Sequence, residues 1–310
     1  MSRPVIRYLA AALLVAILVF VIPPVGVIAA VIALAVIPPW GRTHTERLII
    51  SALVLLAIVA IVFPRNGTTP VSALSAHVLL AGVVLAAALL RFIPQLANVR
   101  LPRTKTGDFL FVGFLLASVV WLLSAYIGTN DYETLSGMFF TGWDNHGHFV
   151  TFANTYEVGS TTWPTVDGSE AWNQWYPSLH TTVWSLGQYA WSGSGISRIS
   201  LLFPYITWQA ISFASCSAAL AWMAGDLAQR VLPGVTQKRR TALGALAFVL
   251  TALFFTLGSP ALMFNAGFVN FVMGVTAVTL CSYFSVRSTQ SALTLGWFLV
   301  PVGAIVSINL

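Results

Sequence analysis

Residues 142–149 read Gly-Trp-Asp-Asn-His-Gly-His-Phe, so Asp144, His146 and His148 bring a carboxylate and two imidazoles within one short stretch. These side chains move protons and ligate metal ions near neutral pH. Two geometries are open. In a helix, Asp144 and His148 lie one turn apart on a shared face, and His146 points elsewhere. In an extended segment all three share a face. Either gives a carboxylate–imidazole pair or a site for a divalent metal ion, with His146 as the candidate further ligand. A plainer role is also open, in which Asp144 caps a helix starting near Asn145.

A second group follows at Trp175-Tyr176-Pro177-Ser178-Leu179-His180. Proline suits the first turn of a helix, so Tyr176 and His180 flank that turn and face the preceding loop. The plainer role for His180 is a hydrogen bond to a nearby backbone carbonyl. The loop, residues 129–177, holds six of the nine acidic residues: Asp131, Glu133, Asp144, Glu157, Asp167 and Glu170. No Lys or Arg occurs between residues 106 and 197, and six of the eleven tryptophans lie between 143 and 191. Trp and Tyr settle at membrane–water boundaries and stack on sugar rings. An acidic, aromatic, base-free loop suits a neutral or carbohydrate acceptor and a metal cation. Taken singly, Asp131, Glu133, Asp167 and Glu170 read as solvated loop residues.

The elements that must position this loop are apolar. The 310 residues are 57% hydrophobic and 8% charged, with a mean hydropathy of +0.84; a soluble chain carries about 25% charged residues. That excludes a nucleic-acid partner as the reason for the net charge of +6. In a membrane protein such an excess reports topology. The fold class is therefore all-α, a polytopic transmembrane helical bundle set among membrane lipids. Stretches near the roughly 20 residues needed to cross a bilayer are 5–22, 24–39, 48–64, 74–93, 109–128, 199–225, 241–258, 262–286 and 291–310. The first two hinge at Pro23 and Pro24, which allows tilt or a helical hairpin.

Segment 178–194 has the length of a helix but is rich in Ser, Thr, Gln and His, which makes it a poor span. Charge decides its place. If it does not cross, 13 of the 15 basic residues fall on one side; if it crosses, the division is 9 to 6. The cytoplasmic excess of Lys and Arg favours the first. That predicts nine spans, a cytoplasmic N-terminus, one large extracytoplasmic loop, and 178–194 as a re-entrant or interfacial helix on the outer side. The organisation is then 1–128 as N-terminal spans, 129–198 as loop plus helix, and 199–310 as C-terminal spans. The N-terminus reads as a retained helix, and the chain as the front part of a longer protein. Cys216 and Cys281 sit in apolar runs and read as small buried hydrophobes. Asp108 and Asp226 read as counter-charges at helix ends. Asn265 and Asn270 lie near the outer end of a span.

The arrangement resembles the GT-C superfamily of membrane glycosyltransferases, in which the first large outer loop carries an acidic motif and short helices lie along the membrane. More closely, it is similar to an uncharacterised group of actinobacterial GT-C-like membrane proteins. The matching residues are Asp144 with His148, and Tyr176-Pro177 with His180, over residues 109–290. Two features depart from the pattern. Five spans precede the loop where one is common, and Asn145 follows Asp144 where many members have a second acid, which leaves a single candidate base. The resemblance implies transfer of a sugar from a polyprenyl-phosphate donor to a cell-envelope acceptor, a cell-wall glycan or lipid, at a bacterial plasma membrane. It gives Asp144 the role of base, with His146 and His148 orienting it or holding a metal ion that neutralises the departing phosphate, and His180 binding that phosphate as a cation. Trp143, Trp175 and Tyr176 would form the acceptor platform, and Arg198 is the nearest outer cation. The rival readings are a lipid or glycan transporter and a non-catalytic scaffold. A coupled transporter needs charged or broken helices near the bilayer midplane, and no predicted span carries a charge at its middle.

Overall fold

The computed structural model describes residues 3–64, 68–93, 101–129, 131–142, 144–161, 178–231, 234–289, 302–303 and 305–306. Among them every regular element is helical: α1 (Arg3–Val21), α2 (Pro23–Val36), α3 (His44–Val62), α4 (Ala73–Leu89), α5 (Thr106–Leu123), α6 (Tyr132–Phe139), α7 (Asn145–Val158), α8 (Leu179–Ser192), α9 (Leu202–Val231), α10 (Gln237–Leu257), α11 (Ala261–Ala266) and α12 (Val269–Thr289). Among the described residues six helical stretches are long and apolar enough to cross a membrane: His44–Val62, Ala73–Phe92, Thr106–Leu123, Ile199–Val231, Gln237–Ala266 and Val269–Arg287. They point to a membrane protein. The first two apolar segments are shorter helices, Ile6–Val21 and Pro23–Val36. The ninth expected span, 291–310, falls almost wholly outside the described residues.

Two boundaries differ from the sequence expectation. The eighth span, expected over 262–286, begins at Val269, because Gly267 at φ +89° turns the chain between α11 and α12. The loop expected over 129–177 contains α6 and α7. Asp131 starts α6 by accepting from the Thr134 backbone N–H at 2.7 Å and from the Thr134 hydroxyl. These bonds, the hydroxyl's first, hold its carboxyl below the ordinary carboxylate range. Asp131 is thus a helix cap and not merely a solvated loop residue.

The chain forms two compact units, one of Met1–Thr104 with Asn154–Gly195 and one of Lys105–Ala153 with Ile196–Leu310. In the first, only Ile22 separates α1 from α2. Gly26 makes that turn feasible, since a Cβ there would lie 2.3 Å from the Val19 Cα. Ala12, Val15 and Val19 pack with Ala30, Ala33 and Leu34 and with Val84, Ala87 and Ala88 of α4. The end of α2 runs into Pro38 and Pro39, whose missing N–H groups cannot close another turn. Its last carbonyls take arginine donors instead: Arg47 Nη1 to Val36 O at 2.6 Å, and Arg91 Nε and Nη2 to Ile37 O and Pro38 O at 2.9 and 3.1 Å. The Arg91 guanidinium also lies 4.8 Å from the Tyr8 ring centre. Both arginines, counted among the 13 basic residues expected on the cytoplasmic side, are buried.

In the same unit α8 packs against α2, α3 and α4, and ten of its 14 residues are buried. That burial is against helices of its own unit, and only Trp191 and Ser192 at its end are exposed. Its hydroxyls bond within the helix: Thr181 and Thr182 to Ser178 O at 2.9 Å each, and Ser185 to Thr181 O at 2.8 Å. A helix satisfied in this way can be polar in sequence and still buried among apolar neighbours.

In the second unit α9 packs against α5, α10 and α12. A Cβ on Gly225 would lie 2.8 Å from the Gly244 carbonyl oxygen, so α9 and α10 approach as closely as backbones permit. Phe109, Val112, Leu116 and Val120 on α5 are exposed, as are Leu246, Leu250, Leu253 and Leu257 on α10. These stripes recur at three- and four-residue steps, the pattern of helices facing an apolar surrounding.

Candidate functional site

Helix α7 begins at Asn145, so the helical alternative holds for the Asp144 motif. The His148 N–H donates to Asp144 O at 3.0 Å, which puts the two residues one turn apart. Asp144 is half-buried, and its own N–H donates to Ala266 O at 3.0 Å. The aspartate backbone is therefore held on both sides, by the first turn of α7 and by the end of α11. His146 is exposed and points elsewhere, edge-on to Phe140 with ring centres 5.1 Å apart.

Asn145 organises this junction. It is fully buried, and its side-chain amide donates to Phe139 O at 3.0 Å and Asn265 O at 2.8 Å. Its side-chain oxygen accepts from Gln209 Nε2 at 3.1 Å, and its backbone oxygen from the Tyr205 hydroxyl at 3.2 Å. One side chain thus ties together the end of α6, the start of α7, the end of α11 and the first half of α9. Two glycines make room. A Cβ on Gly142 would lie 1.8 Å from Asn265 O, and one on Gly267 would lie 2.6 Å from the Asn145 N. Phe139, Phe149 and Phe152 pack on the Tyr205 ring at 6.0, 5.5 and 5.7 Å. The sequence reading marked Asn265 as a polar group near the outer end of a span but gave Asn145 no role of its own. Only Gly142 lies near it in sequence, and Gly267 is brought to it by the fold, so no local signal marked Asn145.

His148 is 4% exposed, and burial pushes its imidazole down to about 4 from an ordinary 6.5. It is therefore neutral at pH 7, able to orient a carboxylate or a hydroxyl but not to supply a positive charge. Its effect on stability has a definite sign. The penalty is absent above pH 6.5, where the unfolded ring is also neutral, and grows as pH falls toward 4, where unfolding takes up a proton that the fold resists. Melting temperature in detergent should fall across pH 6.5 to 4, and a His148→Gln variant should lose much of that slope. An unchanged slope would mean that the ring is hydrated.

Asp144, His146 and His148 belong to the second unit and His180 to the first. His180 is fully buried on the first turn of α8, edge-on to Trp184 with ring centres 5.1 Å apart. The sequence expectation had it facing the loop. Arg198 is exposed, next to the short helix Ile199–Leu201 that leads into α9. Trp143, Trp175 and Tyr176, with Asp167 and Glu170, lie outside the described residues. Among the described residues no group of three or more His, Cys, Asp or Glu side chains is placed to hold a metal ion. Asp226 pairs with Arg230 at 2.5 Å, as the counter-charge the sequence suggested, whereas Asp108 accepts from the Lys105 backbone N–H at 2.8 Å and so acts as a capping residue at the start of α5. Comparison with family models, with curated proteins and with solved structures returns no match to this chain.

Proposed function

We propose that the chain is a membrane glycosyltransferase that moves a sugar from a polyprenyl-phosphate donor to a cell-envelope acceptor on the outer face of a bacterial plasma membrane. The observation that carries this reading is Asp144: a half-buried carboxylate with its backbone held on both sides, one turn from a buried neutral imidazole. A general base works best when held in one position beside a group that orients the proton it takes. In the proposed step the acceptor hydroxyl gives its proton to Asp144 while its oxygen bonds to C1 of the sugar. The C1–O bond to phosphate breaks, and its electron pair leaves with the polyprenyl phosphate. His148 donates or accepts a hydrogen bond without changing charge. The exposed apolar stripes of α5 and α10 are surfaces along which a polyprenyl chain can lie.

The nine-span topology with a cytoplasmic N-terminus belongs to the same proposal. Its support in the second unit is the gathering of Lys105, Arg230, Lys238, Arg239, Arg240 and Arg287 at helix ends away from the Asp144 junction, as the cytoplasmic bias of basic residues requires.

The test is transfer in proteoliposomes from radiolabelled polyprenyl-phosphate hexose and pentose donors. Asp144→Asn should lower the rate about 100-fold or more, the contribution typical of a positioned base, with melting temperature and elution unchanged. Undiminished transfer in that variant would remove Asp144 as the base. Absence of transfer from every donor by the parent chain would overturn the glycosyltransferase reading.

A further inference from the structure

At the other end of the second unit's long helices the structure gathers positive charge into one place. Three close approaches bring the helix ends together. A Cβ on Gly107, at the start of α5, would lie 3.7 Å from the Trp222 ring of α9. A Cβ on Gly244 of α10 would lie 2.4 Å from the Gln229 amide of α9. Tyr283 of α12 donates its hydroxyl proton to Asp226 of α9, and Trp222 packs edge-on to Tyr283 with ring centres 6.2 Å apart. Lys105, Arg230, Lys238, Arg239, Arg240 and Arg287 stand on those four ends.

The nearby acids are already engaged. Asp226 accepts from both Arg230 and Tyr283, and Asp108 accepts from the Lys105 backbone. The six cations outnumber these two carboxylates, one of which is already paired with Arg230, so this end carries a net positive charge. Lys105, Arg230, Lys238 and Arg239 are exposed, while Arg240 and Arg287 are half-buried. The Arg287 guanidinium lies 5.9 Å from the Tyr283 ring centre, which sets a charge beside an aromatic ring able to sit at headgroup depth.

We propose that this end of the α5–α9–α10–α12 cluster is a docking surface for anionic phospholipid headgroups of the adjoining leaflet. The argument is charge complementarity at a fixed depth. Phosphodiester headgroups form a layer of negative charge where membrane-crossing helices end, and each Lys or Arg near that layer is attracted to it. Guanidinium groups pair with phosphate oxygens through two parallel bonds. Tyr283, half-buried beside Arg287, supplies an amphipathic ring of the kind found at that depth, backed by the buried Trp222. The proposal is independent of the chemistry assigned to Asp144.

The purified 310-residue chain in detergent is titrated with phosphatidylglycerol or phosphatidylcholine of matched acyl chains, and bound lipid is counted by native mass spectrometry. Phosphatidylglycerol should bind about tenfold or more tightly than phosphatidylcholine. A Lys238→Gln/Arg239→Gln/Arg240→Gln variant should lose most of that preference while binding phosphatidylcholine unchanged. Equal binding of the two lipids, or an undiminished preference in the triple variant, would overturn the proposal. Displacement of phosphatidylglycerol by an equal concentration of inorganic phosphate would overturn it too, by making the ligand a free anion. If the triple variant elutes as aggregate, Arg230→Gln with Arg239→Gln carries the same comparison.

Discussion

Replacing Gly142 with valine is expected to abolish folded protein. A first side-chain carbon there would lie 1.8 Å from the Asn265 carbonyl oxygen and 2.4 Å from the Asn145 amide nitrogen. The nearer obstacle is backbone, so no rotamer change relieves it. Asn145→Leu probes the same junction without the clash. It leaves the carbonyls of Phe139 and Asn265 and the Gln209 amide without their partner. Each such loss in a buried setting costs about 1–3 kcal/mol, and together they should remove about 3–5 kcal/mol, a large part of a typical fold's 5–15 kcal/mol. Elution profile and thermal melting in detergent check both variants. A monodisperse Gly142→Val protein melting like the parent would show that the α6–α7 turn can move away from α11, and would remove the rigidity on which Asp144 depends.

The second large effect is expected at Arg91. Arg91→Met keeps the length of the side chain but removes the donors to Ile37 O and Pro38 O and the charge facing Tyr8. Hydrogen bonds from a charged donor are worth about 1.5–3 kcal/mol each, and the two carbonyls are left buried. A loss of about 3 kcal/mol or more follows, read as a lower melting temperature. Arg91→Lys should recover less than half of it, because a single ammonium cannot reproduce the planar fork that reaches both oxygens. If Arg91 were only a topological charge, Arg91→Met would melt like the parent and Arg91→Lys would be silent.

Those three residues show what the sequence discloses and what it withholds. The apolar runs were legible because length and hydropathy are local properties, and six of the nine expected spans correspond to helices long enough to cross a membrane. The start of the last described helix was misplaced because a glycine in a left-handed turn leaves no mark in hydropathy. Arg91 looked like any basic residue at a span's end. Its burial depends on Pro38 and Pro39 depriving α2 of donors more than 50 residues earlier. Of the site, the Asp144–His148 step was readable as one of two geometries, since spacing alone cannot choose helix over strand. Asn145 was not readable as the centre, because its partners come from α6, α9 and α11 and none is near in sequence except Phe139. The polar composition of 178–194 marked it off from the apolar runs, and its helix, Leu179–Ser192, is not among the six described stretches long and apolar enough to cross a membrane. It did not reveal that the helix's own carbonyls take up its hydroxyls.

The one-residue bend between α1 and α2 has a consequence for the surrounding bilayer. A 14-residue helix rises about 21 Å, against a hydrocarbon layer of about 30 Å. Because Ile22 is the whole linker and Gly26 sits hard against Val19, neither arm can slide along the other to recover the difference. If the hairpin reaches across the bilayer, lipids beside it must shorten toward it, and stability would then rise with shorter acyl chains in reconstituted vesicles; if its tip stops beneath the headgroups, chain length makes no difference.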